Sequence, residues 1–466
     1  MDIPLWDMSS TAQGLSRIAF IMASGVSDIL CSINKGKYMI QALPADKAAK
    51  KTDLQSLLAS LYPHLLYLAF GLQGENPFLN LDAGGQARAA RGAGQSLRRL
   101  QRGLTGAREF AGAAYFSRPE FLSAYLLYYW PVSFLQTSLA LAELRARGAM
   151  PRLGSILDLG AGPGPAAAAA AIFGAEKLLL LDQSQEALHQ ALTLLRTPTV
   201  MGKASRKTGP LFSAGIADLE NQEHLPEGPF DLIIACHSAN ELWKQDTQAL
   251  DKRARLFGQA AERLSEDGVL LILEPAALVT SRPALALRDR LLRDFSDSLY
   301  CAAPCPDSQP CPILAAGGGR NCHSTWAWEP YEPIAALAAA AGLDRDSVKA
   351  TWFALKKGNA AVHTSEAKAI PDGSAAELPG RRLSGRVISE PMLNKAGRLR
   401  YILCAKPGLA TLSARKEKGA AETAGFFSLR RGDMIEAFAL EPRGEENNFG
   451  FVQDSELKIV LRAPDA

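Results

Sequence analysis

The spacing of apolar positions divides the chain into three stretches. Through about residue 148, apolar residues recur at helical intervals, as in 53–70, interrupted by Pro63, and in the aromatic-rich 121–149. Between 150 and 275 the pattern changes to short unbroken apolar runs separated by Gly-rich turns and helix-length segments. Runs of that kind read as strands buried on both faces, and hence as βα repeats around a parallel sheet. A further strand is expected over 348–357, and the Ala-, Gly-, Pro- and Ser-rich 359–380 reads as a linker. Beyond it, 386–389, 399–405, 434–440 and 457–462 alternate or are β-branched, the signature of half-buried strands. The expected organisation is a helical part (1–148), an α/β part (149–358), a linker (359–380) and a β-rich part (381–466).

The first βα junction carries candidate chemistry. Ser155-Ile-Leu-Asp-Leu-Gly-Ala-Gly-Pro-Gly164 runs from an apolar strand through a Gly-rich turn into a run of alanines, and Leu178-Leu-Leu-Leu-Asp182 ends the next strand in an acid. Gly160, Gly162 and Gly164 allow a tight turn and let a ligand rest on bare main chain. Asp182 falls 22 residues after Gly160, where a doubly wound sheet places the acid that holds a ribose diol. A pyrophosphate would need N–H donors from this loop. Pro163 and Pro165 remove two of them, and Pro165 suits the first turn of a helix instead. S-adenosylmethionine has an adenosine and no phosphate, so it matches the loop better than a dinucleotide does.

This pattern resembles motif I of class I methyltransferases. The stretch 228–242 is similar to the fourth strand and following turn of that fold, and 268–275 to the fifth strand. The resemblance implies an α/β, Rossmann-like doubly wound sheet with S-adenosylmethionine as cofactor. Its contacts would be Asp158 near the aminoacyl end or sulfonium, Gly160, Gly162 and Gly164 in the loop, Asp182 at the ribose and Asp218 at the adenine amino group. No catalytic residue is assigned. The Asn/Asp-Pro-Pro-aromatic turn that orients an exocyclic amine is replaced by Ala235-Cys-His-Ser-Ala-Asn240. Cys236 follows an apolar run and reads as a buried small residue rather than a nucleophile. His237 reads either as a base or as a packing residue.

Five of the seven cysteines fall late, at Cys301, Cys305, Cys311, Cys322 and Cys404. Ala303-Pro-Cys-Pro-Asp-Ser-Gln-Pro-Cys-Pro312 sets two of them in a Pro-rich loop, and Cys322-His323 follows across Gly317-Gly-Gly319. An odd total argues against a disulfide framework, and the paired C-x-x-C knuckles of structural zinc are missing. Irregularly spaced thiols in a stiff loop suit an iron–sulfur cube better than a zinc ion.

Motif I, the Cys-Pro-x4-Cys-Pro loop and the Cys-His behind it together resemble the methyltransferase-like assembly proteins of the small ribosomal subunit, known from mitochondria and with bacterial relatives. The resemblance covers roughly 110–440. It implies a [4Fe–4S] cluster on Cys305, Cys311, Cys322 and Cys404 within a Cys-rich, metal-binding insertion (301–323). Cys301 is a nearby competitor for the fourth place, and zinc is the alternative metal, for which His323 becomes a ligand candidate. The implied partner is the small ribosomal subunit and its RNA, with neither DNA nor membrane expected. Two departures stand out: Ser324-Thr-Trp-Ala-Trp-Glu-Pro330 replaces an aromatic and basic run, and Glu274-Pro-Ala276 replaces Glu-Pro-Gly.

Charge and composition refine this. The net charge of +3 hides a local bias, since 381–418 holds ten Lys or Arg against two Glu. Arg88, Arg91, Arg98, Arg99, Arg102 and Arg108 follow one another without an intervening acid, and Arg282, Arg288, Arg290 and Arg293 mark a later helix. Such basic stretches are solvated faces or backbone-directed RNA contacts. At 47% hydrophobic and 21% charged residues, with no apolar run of membrane-spanning length, the composition is that of a globular protein. Met-Asp-Ile-Pro-Leu-Trp-Asp7 lacks the basic, acid-poor character of a presequence, so a cytoplasmic location is expected. Two functions remain open at this point: an RNA-binding assembly factor of the small subunit, and an active methyltransferase acting on ribosomal RNA, another RNA or a small molecule.

Overall fold

Among the described residues five helices lead into the main sheet: α1 (Leu54–Ala69), α2 (Ala83–Arg91), α3 (Gly94–Thr105), α4 (Pro119–Ala124) and α5 (Trp130–Ala146). The computed structural model describes residues 5–7, 54–105, 109–110, 115–201, 210–343, 346–358, 381–406, 408–416, 419–444 and 446–464; Arg108 and the expected linker lie outside them. Pro63 is buried inside α1 and does not end it. A π-helical turn, Tyr125–Tyr129, joins α4 to α5. Helix α5 is buried on nearly every side, which its apolar and small residues (Phe134, Leu135, Ser138, Leu139, Ala140) permit.

Among the described residues nine strands form the main sheet: β1 (Leu5–Asp7), β2 (Ser155–Leu159), β3 (Lys177–Asp182), β4 (Leu211–Ile216), β5 (Phe230–Cys236), β6 (Leu264–Pro275), β7 (Leu299–Ala303), β8 (Ser324–Ala327) and β9 (Ser347–Lys357). Their order is β1-β4-β3-β2-β5-β6-β9-β7, with β8 on β9. The pairings from β1 to β6 are parallel, whereas β9 runs antiparallel to β6, β7 and β8. This is a Rossmann-like α/β sheet, mixed only at its late edge. Helices α6 (Pro165–Ile172), α7 (Gln185–Leu195), α8 (Ala249–Glu262), α9 (Leu278–Asp294) and α10 (Glu332–Ala341) connect and cover it. Strand order reverses between β3 and β5 on either side of β2, so a crevice opens beyond the carboxyl ends of these strands.

One apolar cluster runs from Leu58 and Leu61 of α1 through Phe134 of α5 and the alanines 166–171 of α6 to Leu180 and Ile234 of the sheet. The N-terminal helices therefore share a core with the sheet. No helix among the described residues is long and apolar enough to cross a membrane.

The C-terminal part is a small β-barrel of β10 (Arg381–Val387), β11 (Met392–Leu393), β12 (Arg398–Ala405), β13 (Gly408–Arg415), β14 (Met434–Pro442), β15 (Asn448–Gly450) and β16 (Glu456–Leu461). Pairing runs β10-β12-β13-β15-β14 and returns from β14 to β10, which closes the ring. Tyr401, Leu403, Leu412, Phe426 and Phe451 fill its interior. The late cysteine loop lies between two short strands, β7 and β8, and is pinned at both ends to β9.

Candidate functional site

The turn after β2 is built to approach its neighbours closely. Gly160 has φ +71°, and a Cβ there would lie 2.4 Å from the Ser238 Cβ. Gly164, at φ +75° and 2.8 Å from the Ala191 Cβ by the same construction, lets α7 pack against the start of α6. The N–H groups of Gly160 and Ala161 both donate to the Leu181 carbonyl, at 2.8 and 2.9 Å. Trp130 Nε1 donates to the Pro163 carbonyl at 2.9 Å, so α5 holds the loop from the other side. Pro165 takes the first helical position of α6, where no N–H partner is needed.

This loop forms one side of a cavity of about 860 Å³ at the crevice, within the usual range for small-molecule sites. Gly160, Gly162, Asp182 and Asp218 line it, whereas Asp158 and Gly164 lie behind the wall. Asp182 accepts the Gly162 N–H through Oδ2 and the Ser184 N–H through Oδ1, each at 2.8 Å. Burial raises its carboxyl above the ordinary carboxylate range, and those N–H groups pull against the rise. Asp218 is exposed at the rim, where it accepts from the Glu220 N–H at 3.0 Å and Asn221 Nδ2 at 2.7 Å. Asp158 is 1% exposed, with both oxygens outside good hydrogen-bond geometry among the described residues. Burial, then the neighbouring Asp182, push it up to about 7.

The opposite wall is aromatic. Tyr115, Phe116, Tyr125 and Tyr129 face the cavity from the N-terminal helices, the last two from the π-helical turn. The sequence showed 121–149, with Tyr125 and Tyr129, only as rich in aromatics and did not single out Tyr115 and Phe116; the turn that aims the rings had no periodic signal. The cavity floor holds Cys236, His237 and Glu274. Burial raises the Cys236 thiol well above its ordinary value, so it is neutral and unsuited to attack. His237 Nε2 lies 2.7 Å from Gln136 Oε1, while Gln136 Nε2 donates to the Lys349 carbonyl at 2.7 Å. That amide orientation requires His237 to carry a proton on Nε2. Its backbone is at φ +62°, a left-handed conformation rare for a non-glycine residue. Glu274 accepts the Asn240 N–H at 2.9 Å, and burial pushes its carboxyl up to about 8.

The second site is the cysteine loop. Cys311, Cys322 and Cys404 share one small apolar cluster with Leu285, Ile313, Ile388 and Leu409, so strand β12 of the barrel meets the loop. Cys305 lies beside them, close enough that its charge raises each of these three thiols. A hydrogen bond with Cys301 pulls Cys305 down to about 6, helped by the guanidinium groups of Arg288, Arg386 and Arg147 and opposed by burial. Burial pushes Cys322 up to about 12. His323 is lowered to about 4 by burial, then by Arg431 and Lys349.

The loop backbone is held by these same arginines. Arg147 donates to the Pro304 carbonyl at 2.8 Å, Arg386 to the same carbonyl at 3.1 Å, and Arg288 to the carbonyls of Asp307 and Gln309 at 2.9 and 3.0 Å. Arg282 donates to the Arg320 carbonyl at 3.0 Å, so two of the four arginines of α9 serve the loop. Arg290 pairs with Asp251 and Asp294. Among the described residues no three His, Cys, Asp or Glu side chains stand in a metal-binding arrangement. The donor types still suit a thiolate-bound iron–sulfur cluster: Cys311, Cys322 and Cys404 share one apolar cluster with Cys305 beside them, and buried guanidinium groups would offset the negative charge such a cluster brings.

Of the N-terminal arginines, Arg98 donates to the Ala341 carbonyl at 3.0 Å and Arg99 lies over the Phe121 ring. Arg88, Arg91 and Arg102 are exposed.

A family model described as mitochondrial small ribosomal subunit Rsm22 matches residues 120–419. No curated protein matches the chain. Similar solved structures include an S-adenosylmethionine-dependent methyltransferase from Mesorhizobium loti, at 28% identity over 28% of this chain and 51% of that one, TM-score 0.21. This chain thus spans about half of that protein. A putative RNA methyltransferase from Pyrococcus horikoshii is 14% identical over 48% of this chain and 85% of that one, TM-score 0.27. Magnesium protoporphyrin IX methyltransferase from Synechocystis is 13% identical over 56% and 97%, TM-score 0.29.

Proposed function

Because the chain belongs to the mitochondrial small ribosomal subunit Rsm22 family, we propose that it acts as an RNA-binding assembly factor of the small ribosomal subunit that retains a methyltransferase fold. In this reading S-adenosylmethionine occupies the crevice cavity, with Asp182 and Asp218 at the adenosine and the 160–164 loop beneath it. The buried carboxyl of Asp158 lies in the strand that leads into that loop, where a sulfonium or ammonium nearby would favour its charged form.

Cys305, Cys311, Cys322 and Cys404 would hold a [4Fe–4S] cluster. When bound, it supplies a four-point thiolate crosslink between the loop and the barrel. The observation that carries the proposal is this meeting of β12 with the 301–323 loop, which makes a metal centre the natural clasp between the sheet and a basic barrel. Arg147, Arg288 and Arg386 shape the loop and balance charge. Anaerobic purification with iron and sulfide analysis, followed by co-sedimentation with small ribosomal subunits, tests this reading. About four irons per chain and comigration with the subunit are expected; one zinc per chain, or no comigration, overturns it.

Methyl transfer to ribosomal RNA is the second reading, favoured by the strained His237 at the floor of an aromatic-walled cavity. Incorporation of label from tritiated S-adenosylmethionine into subunit RNA, abolished by His237→Ala, is its test.

A further inference from the structure

The connectivity of the C-terminal barrel identifies a face for a ligand. Taking β10, β12, β13, β14 and β15 as strands one to five, the ring order is 1-2-3-5-4-1. Strands three and five pair in parallel, and the short helix Ala420–Thr423 falls between strands three and four. This is the arrangement of an OB fold, in which the outer face of strands two and three, with the 1–2 and 4–5 loops, takes oligonucleotides. Fold alone does not assign that function here; the side chains on the face do.

Along β12 and β13 the outward residues form four cross-strand pairs: Arg398 with Arg415, Arg400 with Ser413, Ile402 with Thr411, and Cys404 with Leu409. The inward set is Tyr401, Leu403, Ala405, Ala410, Leu412 and Ala414. Polarity changes along the outward face. Ile402, Cys404 and Leu409 pack against Cys311, Cys322 and Ile313, so that end is covered by the sheet domain. The other end carries three arginines on two strands that hold no acid. The adjoining 388–397 loop adds exposed Lys395 and Leu393, the latter 64% exposed. Arg398 donates to the Ser413 carbonyl at 2.8 Å, which holds its guanidinium flat against the face beside Arg415.

We propose that the open half of the β12–β13 face, with Arg398, Arg400 and Arg415, binds a single-stranded segment of RNA through its phosphates. The proposal rests on the ribosomal reading above and names the surface that reading needs. The outward residues of the two strands include no aromatic ring, so bases are not stacked there and binding follows the backbone rather than the sequence. Three phosphate contacts on a single strand give a slope of about −2 for log K against log[salt].

Fluorescence anisotropy of the full chain with a labelled twelve-nucleotide oligouridine, titrated across 50 to 200 mM salt, tests it. The double variant Arg400→Glu with Arg415→Glu is expected to lose at least tenfold in affinity, with the slope shallower by about 1.4. Arg152→Glu with Lys177→Glu, exposed positions on the sheet domain, makes the same charge change and is expected to lose far less. Equal losses in the two double variants, or an unchanged slope in the barrel variant, overturn the assignment. So does equal competition by a blunt RNA duplex. Co-sedimentation with small subunits in the same preparations separates the two readings. Subunit binding that survives while oligouridine binding never depended on the barrel refutes the face and leaves the ribosomal reading standing.

Discussion

Glu143, in the last turns of α5, forms a buried ion pair with Arg386 of the barrel strand β10, Oε2 to Nη2 at 3.2 Å, across 243 residues of sequence. The same carboxylate pairs with Arg147 at 2.8 Å, and Arg386 also donates to Ser324 Oγ at 3.0 Å. Glu143 is 1% exposed, so one carboxylate pairs with two guanidinium groups away from bulk solvent, and the set keeps a net charge of +1. Removing one member of such a set leaves uncompensated buried charge, which costs about 3–5 kcal/mol. Glu143→Gln is therefore expected to lower stability in urea by about that amount and to expose the 381–464 region to proteolysis first. A loss under about 1 kcal/mol, the size of a surface pair, would show that the barrel is held chiefly by other contacts.

Asp158 gives the protein a dependence on pH. Its carboxyl is raised to about 7 in the folded chain, by burial first and Asp182 second, above an ordinary value of 3.8. The folded state thus binds a proton that the unfolded chain has released between those values, so stability falls as pH rises from about 4 to about 7. Asp158→Asn, neutral at every pH, should flatten that part of the profile in denaturant titrations. S-adenosylmethionine, a cation, should bind more weakly below pH 7 and release a proton on binding there. An affinity independent of pH from 6 to 8 would separate Asp158 from the ligand.

Much of this was legible in the sequence where one physical rule dominates. The apolar runs of β2, β3, β5 and β6 and the alanines of α6 are written plainly, because strands and helices buried on both sides admit little else. Strand β13, Gly-Leu-Ala-Thr-Leu-Ser-Ala-Arg, was not, since Gly, Ala and Ser carry weak strand preference and its partners on both sides define it. Closure of the barrel was likewise hidden in long-range pairings. The aromatic wall and the Gln136–His237–Lys349 contacts depend on which helix faces the cavity, which periodicity does not encode. Arg288 and Arg386 read as surface charge in the sequence but are buried beside the cysteines, 1% and 4% exposed.

The cysteines predict a graded loss of metal. Cys305→Ser removes the thiol that the guanidinium groups favour as thiolate, and Cys404→Ser removes the contribution of the barrel strand. Both are expected to bleach a brown anaerobic preparation and lower iron content, whereas Cys301→Ser should leave iron near the wild-type level. Iron retained in Cys404→Ser and lost in Cys301→Ser would exchange the roles of those two residues.

The 160–164 loop makes a last distinction, between a cavity that binds adenosine and one that merely persists. Gly160→Ala adds a Cβ 2.4 Å from that of Ser238 at a φ of +71°, so the turn must move. Asp182→Ala removes the acceptor of the Gly162 N–H and with it the group proposed to hold the ribose diol. Loss of a buried charged acceptor costs about 1.5–3 kcal/mol, or roughly tenfold to a hundredfold in affinity. Both variants should lose S-adenosylmethionine binding by calorimetry to at least that extent while keeping the urea midpoint within the range of ordinary point variants. Asp182→Asn, which still accepts one of the two N–H groups, should lose affinity but hold the loop. Undiminished affinity in Asp182→Ala would remove the ribose assignment and move the adenosine elsewhere in the cavity.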